Sequence, residues 1–293
     1  MIDTYVPCRG SAPKTACGGN MGLRFGILGP VRLWRDGAVV PLGTTKQRLL
    51  LARLLLEPNR AVSHDRLFNA LWEDSPPKSA LANVRSYANL LRKDLDHRLR
   101  AHPPGYQLAV EPGELDVADF NELVRQGRGA MSGDRYEEAL GHLTAALALW
   151  RGAAAEDLPR TVGLAAQLDA LEEQRYLAIE ECARARLALG RHSEIIGGLR
   201  ETLALQPTRE RLWGHLMLAL YRTGDVAGAL TVYGEARRAL DRELGIEPGP
   251  ELAELHQLML NRDSRLSGPV LGWRGRRPRC HRRVVRLRFT GRR

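Results

Sequence analysis

Residues 79–95 place Asn83, Ser86, Asn89 and Lys93 three or four positions apart, with Arg85 and Arg92 on their flanks and Leu90 beside Asn89. On a helix that spacing gathers them on one face. Carboxamides and hydroxyls hydrogen-bond to base edges, and a carboxamide offers adenine a donor and an acceptor together. Lysine and arginine bind phosphate oxygens with little regard for sequence. The set is therefore equipped for duplex DNA: Asn83, Ser86 and Asn89 would specify, while Arg85, Arg92 and Lys93 would position. Leu81, Val84, Ala88, Leu91 and Leu95 form the apolar stripe that such a helix would bury. A solvated amphipathic helix has the same period, so the surrounding elements must decide.

Upstream, residues 23–42 read as short strands, with a break at Gly29-Pro30 and an Asp36-Gly37 hairpin turn. Thr44 and Gln47 have capping-box spacing ahead of a helix carrying Leu49, Leu50, Leu54 and Leu55. Ser63 caps a second helix with Leu67, Leu71 and Trp72 inward, closed by Ser75-Pro76-Pro77. Downstream of residue 95, Arg98-Leu99-Arg100-Ala101 and Tyr106-Gln107-Leu108-Ala109-Val110 flank a Pro103-Pro104-Gly105 turn, which reads as a basic two-stranded ribbon. A small sheet, three helices with the third exposed and basic, then a ribbon, is the plan of an OmpR-type winged helix-turn-helix. In it Arg98, Arg100 and His102 would lie along the wing, and Lys46 and Arg48 in the first turn of the first helix would be weaker phosphate contacts.

The 293 residues suggest two domains, and their net charge of +10 is unevenly spread. Residues 21–110 carry +7, residues 111–267 carry −8, and the last 26 carry ten arginines and no acid. A basic domain beside an acidic one suggests a polyanion for the first and protein for the second. Residues 1–20 lack periodicity and are expected to be a disordered extension. The tail, 266–293, is expected to be disordered and receives no role; its bias also matches a shifted reading frame in GC-rich DNA. No apolar run is long enough for a membrane span, and no apolar stretch behind Arg9 and Lys14 supports a secretory signal. The spacing of Cys8, Cys17, Cys182 and Cys280 fits neither a zinc knuckle nor a disulfide framework, so a reducing cytoplasm is expected.

Beyond a short hinge at Glu111-Pro112-Gly113 the pattern is helical and repeats. Glycines at 190 and 224 stand 34 residues apart, the tetratricopeptide period. Gly133 stands 57 residues before Gly190, so the first repeat carries an extra segment from Arg151 to about Leu171. Stacked helix pairs share a core and leave a surface for a partner. Trp150, Trp213, Tyr221 and Tyr233 read as packing residues, and Glu172, Glu173, Glu180 and Glu181 as a solvated acidic face. His142, His192, His215 and His256 are scattered singly. Without a nucleophile, metal or phosphate-loop signal, no enzyme, cofactor or metal is expected. The alternative to a DNA-binding protein is a repeat adaptor that binds only protein.

Leu71-Trp72, Pro76-Pro77, Ala80-Leu81, Tyr87, Leu91-Arg92-Lys93 and Pro103-Pro104-Gly105-Tyr106 resemble the DNA-binding domain of the Streptomyces antibiotic regulatory protein family. Residues 115–120 (Leu-Asp-Val-Ala-Asp-Phe) and 243–252 (Glu-Leu-Gly-Ile-Glu-Pro-Gly-Pro-Glu-Leu) resemble that family's bacterial transcriptional activation domain. The resemblance covers roughly residues 21–262. It implies a cytoplasmic, nucleoid-associated activator of a specialised-metabolite gene cluster, seated as a homodimer on direct repeats in promoter DNA and recruiting RNA polymerase. The absence of a Gly-x-x-x-x-Gly-Lys-Ser/Thr loop places it with the small members. It departs from the family at Leu90 and His102, where basic residues are common: leucine can meet a thymine methyl but no phosphate, and histidine is mostly neutral near pH 7. The expected architecture is mainly α with a small β part: a winged helix over 21–110, then an all-α repeat domain over 111–265.

Overall fold

The computed structural model describes residues 22–267; the expected extension, most of the arginine-rich tail and Cys8, Cys17 and Cys280 lie outside them. The chain opens with an antiparallel sheet of β1 (Leu23–Gly26), β2 (Arg32–Arg35) and β3 (Ala38–Val40) in that order. Asp36 and Gly37 turn the β2–β3 hairpin with φ of 52° and 82°, the two positive values that a tight turn matched to strand twist demands.

Three helices follow: α1 (Thr45–Leu55), α2 (His64–Trp72) and α3 (Ala80–Leu95). The Gln47 side chain accepts the Thr44 N–H at 2.5 Å, and the Ser63 hydroxyl accepts the Arg66 N–H at 3.4 Å, so both expected starts are tied locally. A 3-10 turn leads into β5 (Leu99–His102) and β6 (Gly105–Leu108). β6 also pairs with β4 (Val62–Ser63), a two-residue strand too short to be legible by alternation, giving the order β4-β6-β5. Gly105 is required where β4 crosses, because a Cβ there would collide with the Val62 carbonyl.

The remainder is helical: α4 (Asp116–Ser132), α5 (Tyr136–Leu147), α6 (Val162–Ala188), α7 (Ser193–Leu205), α8 (Glu210–Arg222), α9 (Val226–Leu244) and α10 (Pro250–Leu260). Gly190 and Gly224 take φ of 76° and 92° in the turns before α7 and α9. In the turn before α5 the left-handed position passes to Asp134, with φ of 55°, so the three turns are related but not identical.

One apolar core runs without interruption from β1 through α1–α3 into α4, α5 and α6 as far as Ala185. A second fills the space among the end of α6 and α7–α10. The segment 151–171, which interrupts the repeat period, joins the two halves. Arg151 and Ala155 donate backbone N–H groups to Leu28 and Ile27 at 2.9 Å. Thr161 Oγ1 donates to the Ala70 carbonyl at 3.0 Å, and Gly163 lies against the Ala70 backbone, where a Cβ would come within 2.6 Å of the Ala70 nitrogen. The extra residues are a dock for α2, which explains why the repeat is broken there.

Two expectations need correction. Helix α1 is buried on nearly every side rather than along one stripe, including Arg53, whose guanidinium binds Gln167 on α6 and Glu57. Both sequence halves press on it. Glu180 is buried rather than solvated, facing Arg209 and Arg211 at 3.6 and 3.8 Å, while Glu172 caps the Ala154 N–H and Glu181 pairs with Arg128. Burial pushes the Glu180 carboxyl up despite both arginines, whereas the Arg209 hydrogen bond holds Glu173 down. Trp150 and Trp213 are buried, and Tyr221 and Tyr233 pack half-buried against the second core, as packing residues should.

Candidate nucleic-acid interface

Helix α3 seats itself through Ala80, Val84, Ala88, Leu91 and Leu95, all buried. Leu81, expected in that stripe, is 37% exposed, because the helix is rotated so that Ala80 takes the inward place. The small side chains at 80 and 88 allow α3 to lie close on the core. Its outer edge presents Ser86, Asn89, Leu90 and Lys93 exposed, with Asn83 half-buried at its start. Leu90 is 42% exposed, an apolar side chain in the middle of a polar edge.

No other part of the described chain covers this edge. Ser86, Arg85 and Lys93 make no hydrogen bond or ion pair among the described residues. The carboxamides are partly engaged within the fold. Asn83 Nδ2 donates to Ser79 Oγ at 3.2 Å, and Asn89 Oδ1 accepts from Arg92 Nη1 at 2.6 Å. Each keeps the other half of its amide open to the outside. Tyr87 is half-buried, its ring 6.5 Å from that of Trp72, which makes it a packing residue.

Arg92 is placed differently from a free phosphate ligand. Its Nε donates to the Leu99 carbonyl at 3.0 Å, and its guanidinium lies 5.7 Å from the Tyr106 ring centroid. It therefore fixes the angle between α3 and the first strand of the ribbon, while holding Asn89 in one rotamer. At the ribbon itself Arg100 and His102 are exposed; Arg100 Nε donates to His97 O at 2.9 Å, and His102 Nδ1 lies 3.0 Å from the Pro103 carbonyl.

Three other expected contacts are corrected by geometry. Arg98, only 15% exposed, faces inward and forms two hydrogen bonds to the Glu114 carboxylate at 2.9 and 3.0 Å, with Glu111 at 3.2 Å. Arg48 pairs with Asp157 at 2.8 Å, whose other oxygen accepts the Val31 N–H at 2.8 Å. Lys46 donates to the Leu71 carbonyl, with its ammonium 5.6 Å from the Trp72 ring. Sequence placed Lys46 and Arg48 on their helix, but Arg98, expected in the ribbon, falls in the 3-10 turn before it, and all three find their partners elsewhere in the chain.

Asp116 was missed as a structural residue, although it stands inside the quoted motif at 115–120. Its carboxylate accepts the N–H groups of Ile27 and Leu28 at 2.9–3.0 Å and Arg151 Nη2 at 2.8 Å. Arg151 in turn lies 5.1 Å from the Trp34 ring. Burial pushes the Asp116 carboxyl up, against the pull of its three donors. Phe25 donates its N–H to the Glu114 carbonyl, so residues 111–115 are bound to β1 rather than swinging as a hinge. On the other flank, burial acts to raise the Glu57 carboxyl, but Arg53, Gln167 and Arg66 together hold it below its usual range.

The arrangement is a polar, partly basic helix edge beside a basic ribbon tip, held on a frame that also carries the helical half. Comparison with known proteins finds a match for each half of the chain. A family model described as "Transcriptional regulatory protein, C terminal" matches residues 38–108, and one described as "Bacterial transcriptional activator domain" matches residues 115–260. The chain is 39% identical over 245 residues to the transcriptional regulatory protein EmbR of Mycobacterium tuberculosis, covering 81% of this chain and 63% of that one. It is 30% identical over 253 residues to the regulatory protein DnrI of Streptomyces peucetius, covering 82% and 93%, and 41% identical to the regulatory protein AfsR of Streptomyces coelicolor over 84% of this chain and 25% of that one. A solved structure of M. tuberculosis EmbR in complex with a low-affinity phosphopeptide superposes with a TM-score of 0.78 at 38% identity, covering 82% of this chain and 65% of that one. No helix among the described residues is long and apolar enough to cross a membrane.

Proposed function

This chain belongs to the Streptomyces antibiotic regulatory protein family of transcriptional regulators, joining an OmpR-like domain to a bacterial transcriptional activator domain, and from that premise we propose that it activates transcription by binding promoter DNA through α3 and the β5–β6 ribbon. The observation that carries the reading is the uncovered edge of α3, where Ser86, Asn89, Leu90 and Lys93 stand exposed beside Arg100 and His102. α3 enters the major groove. Asn83, Ser86 and Asn89 read base edges there, Leu90 meets a thymine methyl, and Arg85 and Lys93 hold phosphates. Arg100 and His102 follow the adjacent backbone.

Arg92 positions Asn89 and the ribbon together, so the two contacts to DNA move as one. The acidic helical half faces protein: RNA polymerase, and a second copy seated on the neighbouring direct repeat. The relatives from Streptomyces and the family's name favour promoters of a specialised-metabolite gene cluster as targets. The test is footprinting of the full chain on promoters of its own gene neighbourhood, with a salt titration. Protection of repeated sites, with affinity falling steeply as salt rises, is expected. Absence of any protected site, or equal affinity for every fragment tested, refutes the proposal.

A further inference from the structure

Arginine carries donors only, so a carboxamide that meets one must turn its oxygen toward it. Arg92 Nη1 lies 2.6 Å from Asn89 Oδ1, three positions apart on α3. The Asn89 amide is thereby oriented, its oxygen toward Arg92 and its Nδ2 away. Asn83 is not constrained in this way. Its partner, Ser79 Oγ at 3.2 Å, is a hydroxyl, which can serve either end of an amide.

Arg92 has little freedom to release it. Its Nε donates to the Leu99 carbonyl at 3.0 Å, and its guanidinium lies 5.7 Å from the centroid of the buried Tyr106 ring. Tyr106 is itself held in register with Val62 and Ala101 in the sheet. Arg92 forms no ion pair among the described residues; Asp96, just past the helix end, pairs with Arg35 at 3.3 Å instead. Arg92 is half-buried and Asn89 exposed. The two together therefore offer the outside an amide NH2 group with a positive charge behind it, joined by a hydrogen bond of the stronger, charge-assisted kind.

We propose that Asn89 and Arg92 act as one donor-only unit that selects guanine, a specificity that rests on α3 lying in the major groove. Guanine shows two adjacent acceptors there, N7 and O6, which suit Nδ2 and the guanidinium charge behind it. Adenine shows an acceptor and an amino donor. To pair with both ends of the amide, its N6 amino group must share Asn89 Oδ1 with Arg92, which sets donor beside donor. Thymine offers one acceptor, O4, and cytosine only an amino donor. The order of preference is guanine first, adenine and thymine below it, and cytosine last. Arg92 touches no base in this scheme. It is a positioning residue that sets which end of Asn89 does the reading.

The test uses duplexes of a footprinted promoter site that carry each of the four base pairs in turn at every position, titrated with the full chain by fluorescence anisotropy. At the position whose preference Asn89→Ala abolishes, wild type is expected to favour guanine over adenine about tenfold, the worth of one net hydrogen bond. 7-Deazaguanine still pairs but lacks the N7 acceptor; placed there, it should weaken wild type severalfold and leave Asn89→Ala unaffected. Arg92→Met keeps the aliphatic stem and removes the donors, and should move the preference at that position from guanine to adenine. A loss equal for all four bases, with their order unchanged, is what a merely structural arginine gives, and it overturns the role of Arg92 in selection. If Arg92→Met melts early, 7-deazaguanine decides in the wild-type chain, where undiminished affinity overturns the proposal. Wild-type preference for any base but guanine at the Asn89-dependent position overturns it too, while leaving α3 in the groove. If Asn89→Ala changes the preference at no position, the groove reading itself fails, and the selection of guanine with it.

Discussion

Lys93 and Arg98 stand five residues apart, and both carry a charge suited to phosphate, but the structure assigns them opposite work. Lys93 is exposed on the α3 edge. Arg98 is 15% exposed and bound to Glu114, which is 6% exposed. Replacing Lys93 by alanine removes one phosphate contact, so the slope of log K against log salt should fall by about 0.9 with stability unchanged. Replacing Arg98 by alanine leaves a buried carboxylate without its cation. Breaking a buried pair in this way costs about 3–5 kcal/mol; Glu114 keeps the Glu111 N–H at 2.7 Å as a donor, which places the expected loss near the lower figure. The assay pairs a urea melt with fluorescence-anisotropy titrations on a footprinted promoter at several salt concentrations. Arg98→Ala should lower the unfolding midpoint and leave the salt slope of the remaining folded protein unchanged. The double variant Arg98→Met/Glu114→Leu should recover most of the stability, since an apolar pair of similar volume replaces the buried ions. If Arg98→Ala instead lowers the slope by about one and leaves the melt untouched, the inward assignment is wrong.

Leu90→Arg should steepen the salt slope by about 0.9 and raise affinity for all sequences, and an unchanged slope in anisotropy titrations would show that position 90 does not face DNA. Asn89→Ala should cost about 1–3 kcal/mol of discrimination at one base pair; a selection experiment that returns the wild-type site preference would contradict this. Gly163→Ala should destabilise by about 1–3 kcal/mol, because the added methyl meets the Ala70 backbone at 2.6–2.8 Å, and calorimetry that finds the variant at least as stable as wild type would refute the tight dock. His215 is held neutral, its pKa lowered from 6.5 to about 4 by burial, with Arg184 and Arg211 adding to the effect. The unfolded chain therefore binds the proton first, so this contribution is complete above pH 6.5 and is lost as the pH falls toward 4, on the order of 3 kcal/mol in all. Urea melts of wild type and His215→Phe that keep the same difference from pH 7 to pH 4 would exclude it.

The two halves are docked through backbone groups. Asp116, Arg151, Asp157 and Thr161 all bind backbone atoms of the N-terminal half. Backbone groups cannot swing aside as side chains do, so the helical half is fixed in orientation relative to α3.

Much of α3 and its setting was legible because local rules govern them. The i, i+3, i+4 spacing of 83, 86, 89 and 93, the Asp36-Gly37 hairpin, the Thr44–Gln47 cap and the 34-residue glycine interval each depend on neighbours within a turn or one repeat. The partners of cations were not legible in this way. Arg48 meets Asp157, Arg53 meets Gln167 and Arg98 meets Glu114 across loops whose closure only tertiary packing dictates. The same holds for Leu81, whose exposure follows from a small rotation of α3 that brings Ala80 inward. Periodicity fixes which residues share a face to within one position, and the core then selects among the near-equivalent rotations. The broken repeat at 151–171 was visible as an interruption, but its purpose was not, since the surface it fits is made by α2 and β1 folded far upstream. Sequence alone determined the main helices and hairpins and which chemistry their exposed faces can offer; the packing of one half on the other decided the short strand β4, which charges remain exposed and which are spent inside the fold.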